Sequence, residues 1–143
     1  MIIPDSNLLV YANAKDSPFY PKAVVWWENV LNGNEFIGLP WNVILGFIRL
    51  TTNPTIAKSG IDVDATLGVV DSWLQHPNVV VLNPGERHFE IMARILSSLK
   101  LGNNLVADAH LAALAIENRA TLCSHDRDFQ RFSGFRLFDP IAN

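Results

Sequence analysis

The sequence predicts an α/β fold in which helices cover both faces of a central parallel sheet. Short apolar runs typical of strands alternate along the chain with segments whose apolar residues recur at helical spacing. The apolar run Val79–Leu82 is unbroken, as in strands that are covered on both faces. No internal repeat, low-complexity tract or linker interrupts the 143 residues, so we expect a single domain over residues 1–143.

The first part of the chain contains two predicted strands and two predicted helices. The first strand opens the chain and ends at Pro4. Helical spacing of apolar residues predicts a helix over residues 21–31, which the following Asn-Gly-Asn sequence ends. Residues 36–39 form a second strand that a proline stops. Residues 41–50 are nearly all apolar, so we expect a buried helix that ends before Pro54.

The second part of the chain continues the alternation. A third helix spans residues 65–74, with Asp62 or Asp64 as its cap, and leads to the strand Val79–Leu82. Apolar spacing predicts a helix over residues 89–96, and a Gly-Asn pair separates it from a helix rich in small residues. The remaining elements are that helix over residues 105–116, a strand around Leu122, a short helix near Phe129 and a strand over residues 135–138.

Composition and charge narrow the classes of function. Apolar residues make up 49% of the chain, and the formal net charge is −3. This charge argues against a general nucleic-acid coat, which needs clustered cations, although four arginines gather in the last quarter of the chain. Neither a secretion signal nor an apolar run near the roughly 18 residues of a membrane span is present, so we expect a soluble, cytoplasmic protein without a membrane partner. The single cysteine, Cys123, lies in a short apolar run and is expected to be a buried structural thiol.

Three aspartates stand where the chain is predicted to change from strand to turn or helix. Asp5 follows the first strand, Asp108 lies within the small-residue helix segment, and Asp126 comes just after the strand around Leu122. Carboxylates that gather at the carboxyl ends of parallel strands usually hold a divalent metal. The three aspartates are therefore candidate metal ligands.

Asp108 is the least easily explained of these carboxylates. Its neighbours are apolar on nearly every face, so we expect it to be at least half buried, and a lone buried carboxylate is costly. Three interpretations stay open: a metal or catalytic role, a cap that starts its own helix, and an ion pair with an arginine. Asn104, four residues earlier, would project from the same helical face and could share a ligand or its waters.

The other acidic positions also have structural interpretations. Asp5 could serve only as a turn residue or an N-cap after its strand. Asp126 and Asp128 flank Arg127, so one of them could cap the short helix while the other faces solvent. Taken singly, each acidic position is weak evidence of a site. Three at strand ends in a small α/β domain are stronger evidence.

The histidines and tryptophans indicate packing more than catalysis. His110 follows Asp108 by two helical positions, about 200° around the helix, so we expect it to point away from the carboxylate as a surface or packing residue. His125 could touch a substrate, whereas His76 and His88 carry no motif. The chain has four tryptophans, and not every indole can enter so small a core; they would cover the sheet's edges or face a partner.

Three segments of the chain, in order, carry recognisable motifs: residues 5–12 (DSNLLVYA), 108–115 (DAHLAALA) and 124–129 (SHDRDF). Together they resemble the ordered motifs of PIN domains, and more narrowly those of VapC-type toxins of bacterial toxin–antitoxin pairs. The resemblance runs from Met1 to the closing Asp139-Pro140. Each motif is short, but the ordered set over the full length is specific.

The resemblance implies a three-layer α/β/α PIN-like fold and an endoribonuclease that hydrolyses RNA phosphodiester bonds with a metal-activated water. Asp5, Asp108 and Asp126 match the family's acidic positions, which would be catalytic and would hold Mg²⁺, or Mn²⁺ in its place. Asp128 matches a less constant acidic position. The remaining accessory candidates are Asn7 and Ser124, which match polar positions beside the metal, and the neighbouring Asn104 of the helix.

The resemblance also implies partners. RNA would enter as a single strand or loop, because its phosphodiester must reach a recessed acidic pocket. Arg127 or Arg131 could contact this RNA and stabilise the departing oxygen, or could be solvated surface residues. The resemblance further implies a homodimer and a cognate VapB-type antitoxin. The carboxyl-terminal segment of this antitoxin would lie near the active site.

One position departs from the family pattern. PIN domains of this type usually carry a glutamate in the helix after the second strand, where this chain has Gly46. Asn42, one helical turn earlier, could supply an oxygen in its place. The departure leaves an alternative function open, a catalytically weakened PIN-fold module that binds RNA or protein. A second alternative is an aspartate phosphotransfer domain, although the acidic pair and lysine expected of that class are not evident.

Overall fold

The computed structural model describes residues 1–55, 62–100 and 102–143. Strands and helices follow one another in the predicted order, except that a helix over residues 6–11 was not predicted. In chain order they are β1 (Ile2–Pro4), α1 (Ser6–Tyr11), α2 (Tyr20–Asn32), β2 (Ile37–Pro40), α3 (Trp41–Thr52), α4 (Val63–Leu74), β3 (Val79–Leu82), α5 (His88–Leu99), α6 (Leu105–Asn118), β4 (Thr121–Cys123), a 3₁₀ helix (Arg127–Arg131) and β5 (Arg136–Phe138).

The five strands form one parallel sheet in the order β3-β2-β1-β4-β5. β1 is central, with Ile3 level with Leu122 of β4 and Ile2 level with Ile37 of β2. The chain builds outward from β1 in one direction through β2 and β3, then crosses to β4 and β5 on the other side. The carboxyl ends of β1 and β4 therefore border the switch point of the topology, where open α/β sheets place their ligand sites.

The helices form two layers around this sheet. Right-handed crossovers place α1 to α4 on one face, because the chain advances in a single direction from β1 to β3, and place α5 and α6 on the other face when it returns to β4. The packing agrees, since α1 contacts α2 and α3, α3 contacts α4, and α5 contacts α6. The predicted parallel α/β/α arrangement is confirmed.

Two expectations about burial were wrong. β3 is not covered on both faces, since Val80 is 38% exposed. The strand lies at the edge of the sheet, where neighbouring elements cover less of it. The helix α3 is only partly buried: Val43, Ile44 and Phe47 face the core, while Leu45 is 58% exposed. In both elements the apolar residues extend beyond the surface that neighbouring elements cover, which an all-apolar pattern cannot show.

The tryptophans divide as expected between core and surface. Trp27 and Trp73 are buried and their rings meet edge to face at 5.6 Å, whereas Trp41 is exposed. Cys123 is a buried free thiol, and burial raises its pKa to about 12, as suits a structural residue. Among the described residues, no helix is both long and apolar enough to cross a bilayer.

Candidate metal centre

The ends of β1 and β4 are joined directly at the switch point of the sheet. The backbone N–H of Asp5, the first residue after β1, donates to the carbonyl of Cys123, the last residue of β4, at 2.9 Å. Asp5 occupies the N-cap position of α1, but its side chain makes no capping hydrogen bond. Burial raises the pKa of Asp5, and the backbone N–H groups of Ser6 and Asn7 oppose that rise, so both a structural role at the start of α1 and a ligand role stay open for this carboxylate.

Ser124 connects two of the predicted acidic residues. Its hydroxyl donates to Oδ2 of Asp5 at 2.9 Å and accepts the backbone N–H of Asp126 at 3.0 Å. The Ser124 side chain is buried, and its single oxygen serves both partners. The hydroxyl fixes the spacing between the two acidic segments; a further role in orienting water stays a prediction.

Asp126 has the capping role expected of one residue in its pair. Its Oδ1 accepts the backbone N–H of Asp128 at 2.9 Å and caps the 3₁₀ helix. Asp128 is exposed, also as expected. The cap orients the Asp126 carboxylate and leaves its second oxygen for another partner.

Asp108 does not cap its helix. It is the fourth residue of α6, and the N-cap position belongs to Asn104, whose side chain makes no capping hydrogen bond. The ion-pair interpretation has no support either, since no Lys, Arg or His nitrogen of the described residues lies within 4.0 Å of the Asp108 carboxylate. The metal or catalytic role of Asp108 stays a prediction.

The fold brings three of the candidate carboxylates together. Oxygen atoms of Asp108, Asp126 and Asp128 all lie within 4.8 Å of one another. Within the described residues, the one ion pair that reaches them is long, from Arg131 Nε to Asp128 Oδ1 at 3.9 Å. Asp5 is not among the carboxylates that meet this distance, although its charge is one of the causes that raise the pKa of Asp108, after burial and the charge of Asp126.

Burial and mutual repulsion shift the pKa values of two aspartates upward. Burial, followed by the charges of Asp126, Asp5 and Asp128, raises the pKa of Asp108 to about 6. Burial also raises the pKa of Asp5; the Ser124 hydrogen bond opposes this shift and the charge of Asp126 adds to it. Like-charged oxygens held this close favour a bound cation, and carboxylate oxygens are the ligands of hard divalent metals.

The other predicted site residues are less engaged. Asn7 on α1 is half-buried and makes no side-chain hydrogen bond within the described part of the chain. Asn104 is exposed. Arg127 is also exposed, and it forms no ion pair with any described residue. Asn42 on α3 is exposed as well. Their roles stay predictions.

Ser6 occupies the space that a side chain at position 46 would need. A Cβ added to Gly46 would lie 2.5 Å from Ser6 Oγ and 3.1 Å from Ser6 Cβ. Ser6 directly follows Asp5, and its hydroxyl donates to the Val43 carbonyl of α3 at 2.9 Å. Position 46, where the family usually has glutamate, therefore lies beside the residue that follows Asp5, and the Ser6 side chain fills the space there.

This contact predicts that Gly46→Glu destabilises the protein and does not raise its activity. The new side chain must displace Ser6 and break the bond to Val43. Ser6→Ala should relieve the clash, so a double-mutant cycle followed by urea unfolding is expected to give a favourable coupling of about 1 kcal/mol or more. Gly68→Glu is the matched control, because a Cβ at Gly68 meets nothing within 4 Å and should be neutral or stabilising. Equal stability of the two glutamate variants would contradict this account of Ser6.

The shared Ser124 hydroxyl predicts a second large effect. Ser124→Ala leaves the Asp5 carboxylate and the Asp126 N–H without their partner, so we expect a loss of about 1–3 kcal/mol in the free energy of unfolding. The pKa of Asp5 should rise further, since the Ser124 hydrogen bond lowers it. Urea unfolding measures the first effect and NMR titration of the carboxyl carbon the second. The exposed Ser133→Ala is the control and should change stability by less than roughly 0.5 kcal/mol.

A buried polar chain between α5 and α6 was missed in the sequence. His88 Nδ1 is paired with Glu117 Oε1, and His88 Nε2 lies 2.8 Å from His110 Nδ1. Glu117 also accepts the N–H of Gly85 at 2.9 Å. His110 is thus a packing residue, as expected, but a hydrogen-bonded one. The seven-residue spacing of His110 and Glu117, two turns apart on one face of α6, is the signal that could have revealed the pair.

Comparison with known proteins places the chain in a family. The sequence profile of the PIN domain matches residues 2–134. The chain is 40% identical over 142 residues to "Ribonuclease VapC37" of Mycobacterium tuberculosis, with 99% of each protein covered.

Solved structures agree on the fold. VapBC2 of Rickettsia felis, bound to a promoter DNA fragment, superposes with a TM-score of 0.68 at 18% identity, covering 96% of this chain and 97% of the other. The "Sarcin-Ricin loop cleaving toxin" VapC20 of Mycobacterium tuberculosis gives a TM-score of 0.65 at 15% identity, covering 95% and 99%. The profile match and the identity over the full length show that the chain belongs to the PIN-domain family, within the group whose members are named VapC ribonucleases.

Proposed function

We propose that this protein is a metal-dependent endoribonuclease and the toxin of a VapBC-type pair. The observation that carries the proposal is the approach of the Asp108, Asp126 and Asp128 carboxylates to within 4.8 Å of one another at the switch point of a PIN-type sheet. The full-length relatives named as VapC ribonucleases support the substrate class.

The carboxylates suit a divalent metal. Asp5, Asp108 and Asp126 would hold Mg²⁺ or Mn²⁺, with Asp128 as a further ligand, because these ions prefer charged oxygen ligands. Burial, and then the charges of the other three aspartates, raises the pKa of Asp108, and a bound cation would offset both effects. When bound, such an ion lowers the pKa of a water and neutralises charge on the scissile phosphate.

The protein's own residues hold the ligand carboxylates in position. Ser124 holds the Asp5 carboxylate, and the capping bond to Asp128 holds that of Asp126. In the hydrolysis, a water oxygen bonds to phosphorus as the bond to the departing 3′ oxygen breaks. Arg127 and Arg131 are exposed and lie close to Asp126 and Asp128 in the sequence. They would bind RNA phosphates.

The partners follow from the family. The solved neighbours include complexes named VapBC, so we propose a VapB-type antitoxin for this chain, together with a homodimer and a single catalytic PIN domain. An arginine of the antitoxin could pair with the acidic group and silence it, since the group has one long ion pair within the described residues.

Metal removal tests the proposed function. Purified, partner-free protein is incubated with total cellular RNA and with Mg²⁺, Mn²⁺ or EDTA. We expect discrete fragments with either metal and intact RNA with EDTA, restored by excess metal. Intact RNA under every condition would overturn the nuclease and favour the alternative, a PIN-fold binding module weakened at Gly46.

A further inference from the structure

A second concave site lies beside the metal centre. It is a cleft of about 740 Å³, within the usual range of small-ligand pockets of about 300–1,000 Å³. Phe19, Lys22, His125, Arg127 and Asp139 line it. The carboxylates of the metal centre are not part of its lining, so the cleft is separate from the ligand group described above.

Ring contacts hold the aromatic wall of the cleft in place. The rings of Tyr11 and Phe19 are 4.8 Å apart, and those of Phe19 and His125 are 4.9 Å apart. His125 and Arg127, which both line the cleft, flank Asp126 in the chain. A ligand in the cleft would therefore lie next to the proposed metal centre.

His125 is held in place by a carboxylate that is itself fixed. Its Nδ1 lies 2.8 Å from Asp139 Oδ2, and Asp139 Oδ1 accepts the N–H of Ile141 at 3.1 Å. The Asp139 carboxylate accepts a hydrogen bond from Nδ1, and Nε2 has no partner within the described residues. The contact with Asp139 fixes the His125 ring at the wall of the cleft.

Two cations complete the cleft. Arg127 is exposed and forms no ion pair within the part of the chain that the structure describes, and Lys22 Nζ donates to Asn143 Oδ1 at 3.0 Å. Aromatic faces combined with cations are the usual means by which proteins bind single-stranded nucleic acid, since every base has a stacking face and every phosphate a charge.

We propose that this cleft binds one unstacked nucleotide of the substrate RNA, next to the scissile phosphate. The base lies against the Phe19–His125 wall, and its phosphate contacts Arg127 and Lys22. The proposal rests on the proposed ribonuclease function, and it names where that enzyme grips its substrate. Loops and single strands would be favoured, because a base in a duplex cannot leave its stack to enter a pocket without cost.

Binding without cleavage tests the cleft. The full chain is mixed with a fluorescent single-stranded RNA oligonucleotide in EDTA, and anisotropy gives the dissociation constant. His125→Ala is expected to weaken binding about tenfold through lost stacking. Arg127→Ala should weaken it and reduce the slope of log affinity against log salt by about 0.7, the contribution of one phosphate contact.

Arg136→Ala is the matched control. Arg136 is also an exposed arginine, but it is the first residue of β5 and so lies at the opposite end of the sheet. It should leave both affinity and salt slope unchanged. His125→Phe, which keeps an aromatic face, should retain more affinity than His125→Ala. Circular dichroism melts confirm that each variant is folded.

Photo-crosslinking supplies a readout that needs no variant. An oligonucleotide that contains 4-thiouridine is irradiated with the native protein, and mass spectrometry maps the crosslinks. We expect them within residues 18–22 and 125–127. The cleft proposal would be overturned if crosslinks were confined to other segments and the cleft variants bound RNA as tightly as Arg136→Ala does. This result would hold even if the protein cleaves RNA. Crosslinks in the cleft without cleavage in any metal would instead sustain the binding site and overturn the nuclease.

Discussion

Asp108→Asn is expected to abolish RNA cleavage and yet to leave the metal-free fold as stable as before, or more stable. Removing this carboxylate takes a ligand from the centre, so the rate should fall at least about 100-fold, the upper range for residues that only support a metal ligand. The fold responds oppositely, because Asp108 is repelled by Asp5, Asp126 and Asp128 and disfavoured by burial. A neutral amide removes both costs.

Two measurements on the same preparation check this pair of effects. Gel analysis of RNA cleavage with Mg²⁺ gives the rate, and thermal unfolding in EDTA at pH 7.5 gives the midpoint. The control is Asp71→Asn, an exposed aspartate of α4, which should change neither. A variant that unfolds at a much lower temperature than the native protein would show that Asp108 is a structural residue, contrary to our assignment.

Acidification is the second large effect that we expect. Below about pH 6 Asp108 becomes protonated, since burial and the charges of Asp126, Asp5 and Asp128 raise its pKa to about 6. A protonated carboxyl is a poor metal ligand, so at limiting metal the cleavage rate should fall up to about tenfold per pH unit below that value. Saturating Mg²⁺ should shift the fall to lower pH, because metal and proton compete for the same oxygens. A rate that stays flat from pH 7 to 5 at limiting metal would contradict the assignment.

The stability of the metal-free protein has the opposite dependence on pH. The Asp108 pKa is raised above its ordinary value of 3.8, so its contribution to stability is fully present below that value and is lost as the pH rises through about 6. His110 opposes this in an overlapping range: burial, then the charge of His88, lowers its pKa, so its contribution is present above 6.5 and is lost as the pH falls. The difference between native protein and Asp108→Asn, measured by urea unfolding at several pH values, isolates the Asp108 contribution.

The order of elements could be predicted because each has a local cause. The alternation of short apolar runs with helical spacing predicts parallel strands and crossover helices, and the structure confirms them. The six-residue helix α1 was not predicted, because it is too short for a helical pattern to be recognised. Burial was harder to predict. Val80 and Leu45 belong to all-apolar segments, but whether a neighbour covers them depends on strand order and helix packing, and neither is local.

The candidate site shows the same division. Asp5, Asp108 and Asp126 could be identified because strand ends and an apolar context make them conspicuous, and their catalytic roles stay predictions. Contacts between distant segments could not be predicted: the Ser124 hydroxyl spans 119 residues to reach Asp5, and the Ser6 hydroxyl crosses 37 to reach Val43. These contacts arise when separate elements meet at the end of the sheet.

The most direct test of the central claim is to map the ends of RNA fragments made by the purified, partner-free protein with Mg²⁺, beside Asp108→Asn and an EDTA control. We predict a small set of defined cleavage positions that vanish in both controls, which would establish a metal-dependent endoribonuclease centred on these aspartates. Identical RNA profiles from native protein and Asp108→Asn, with antitoxin rigorously removed, would contradict it.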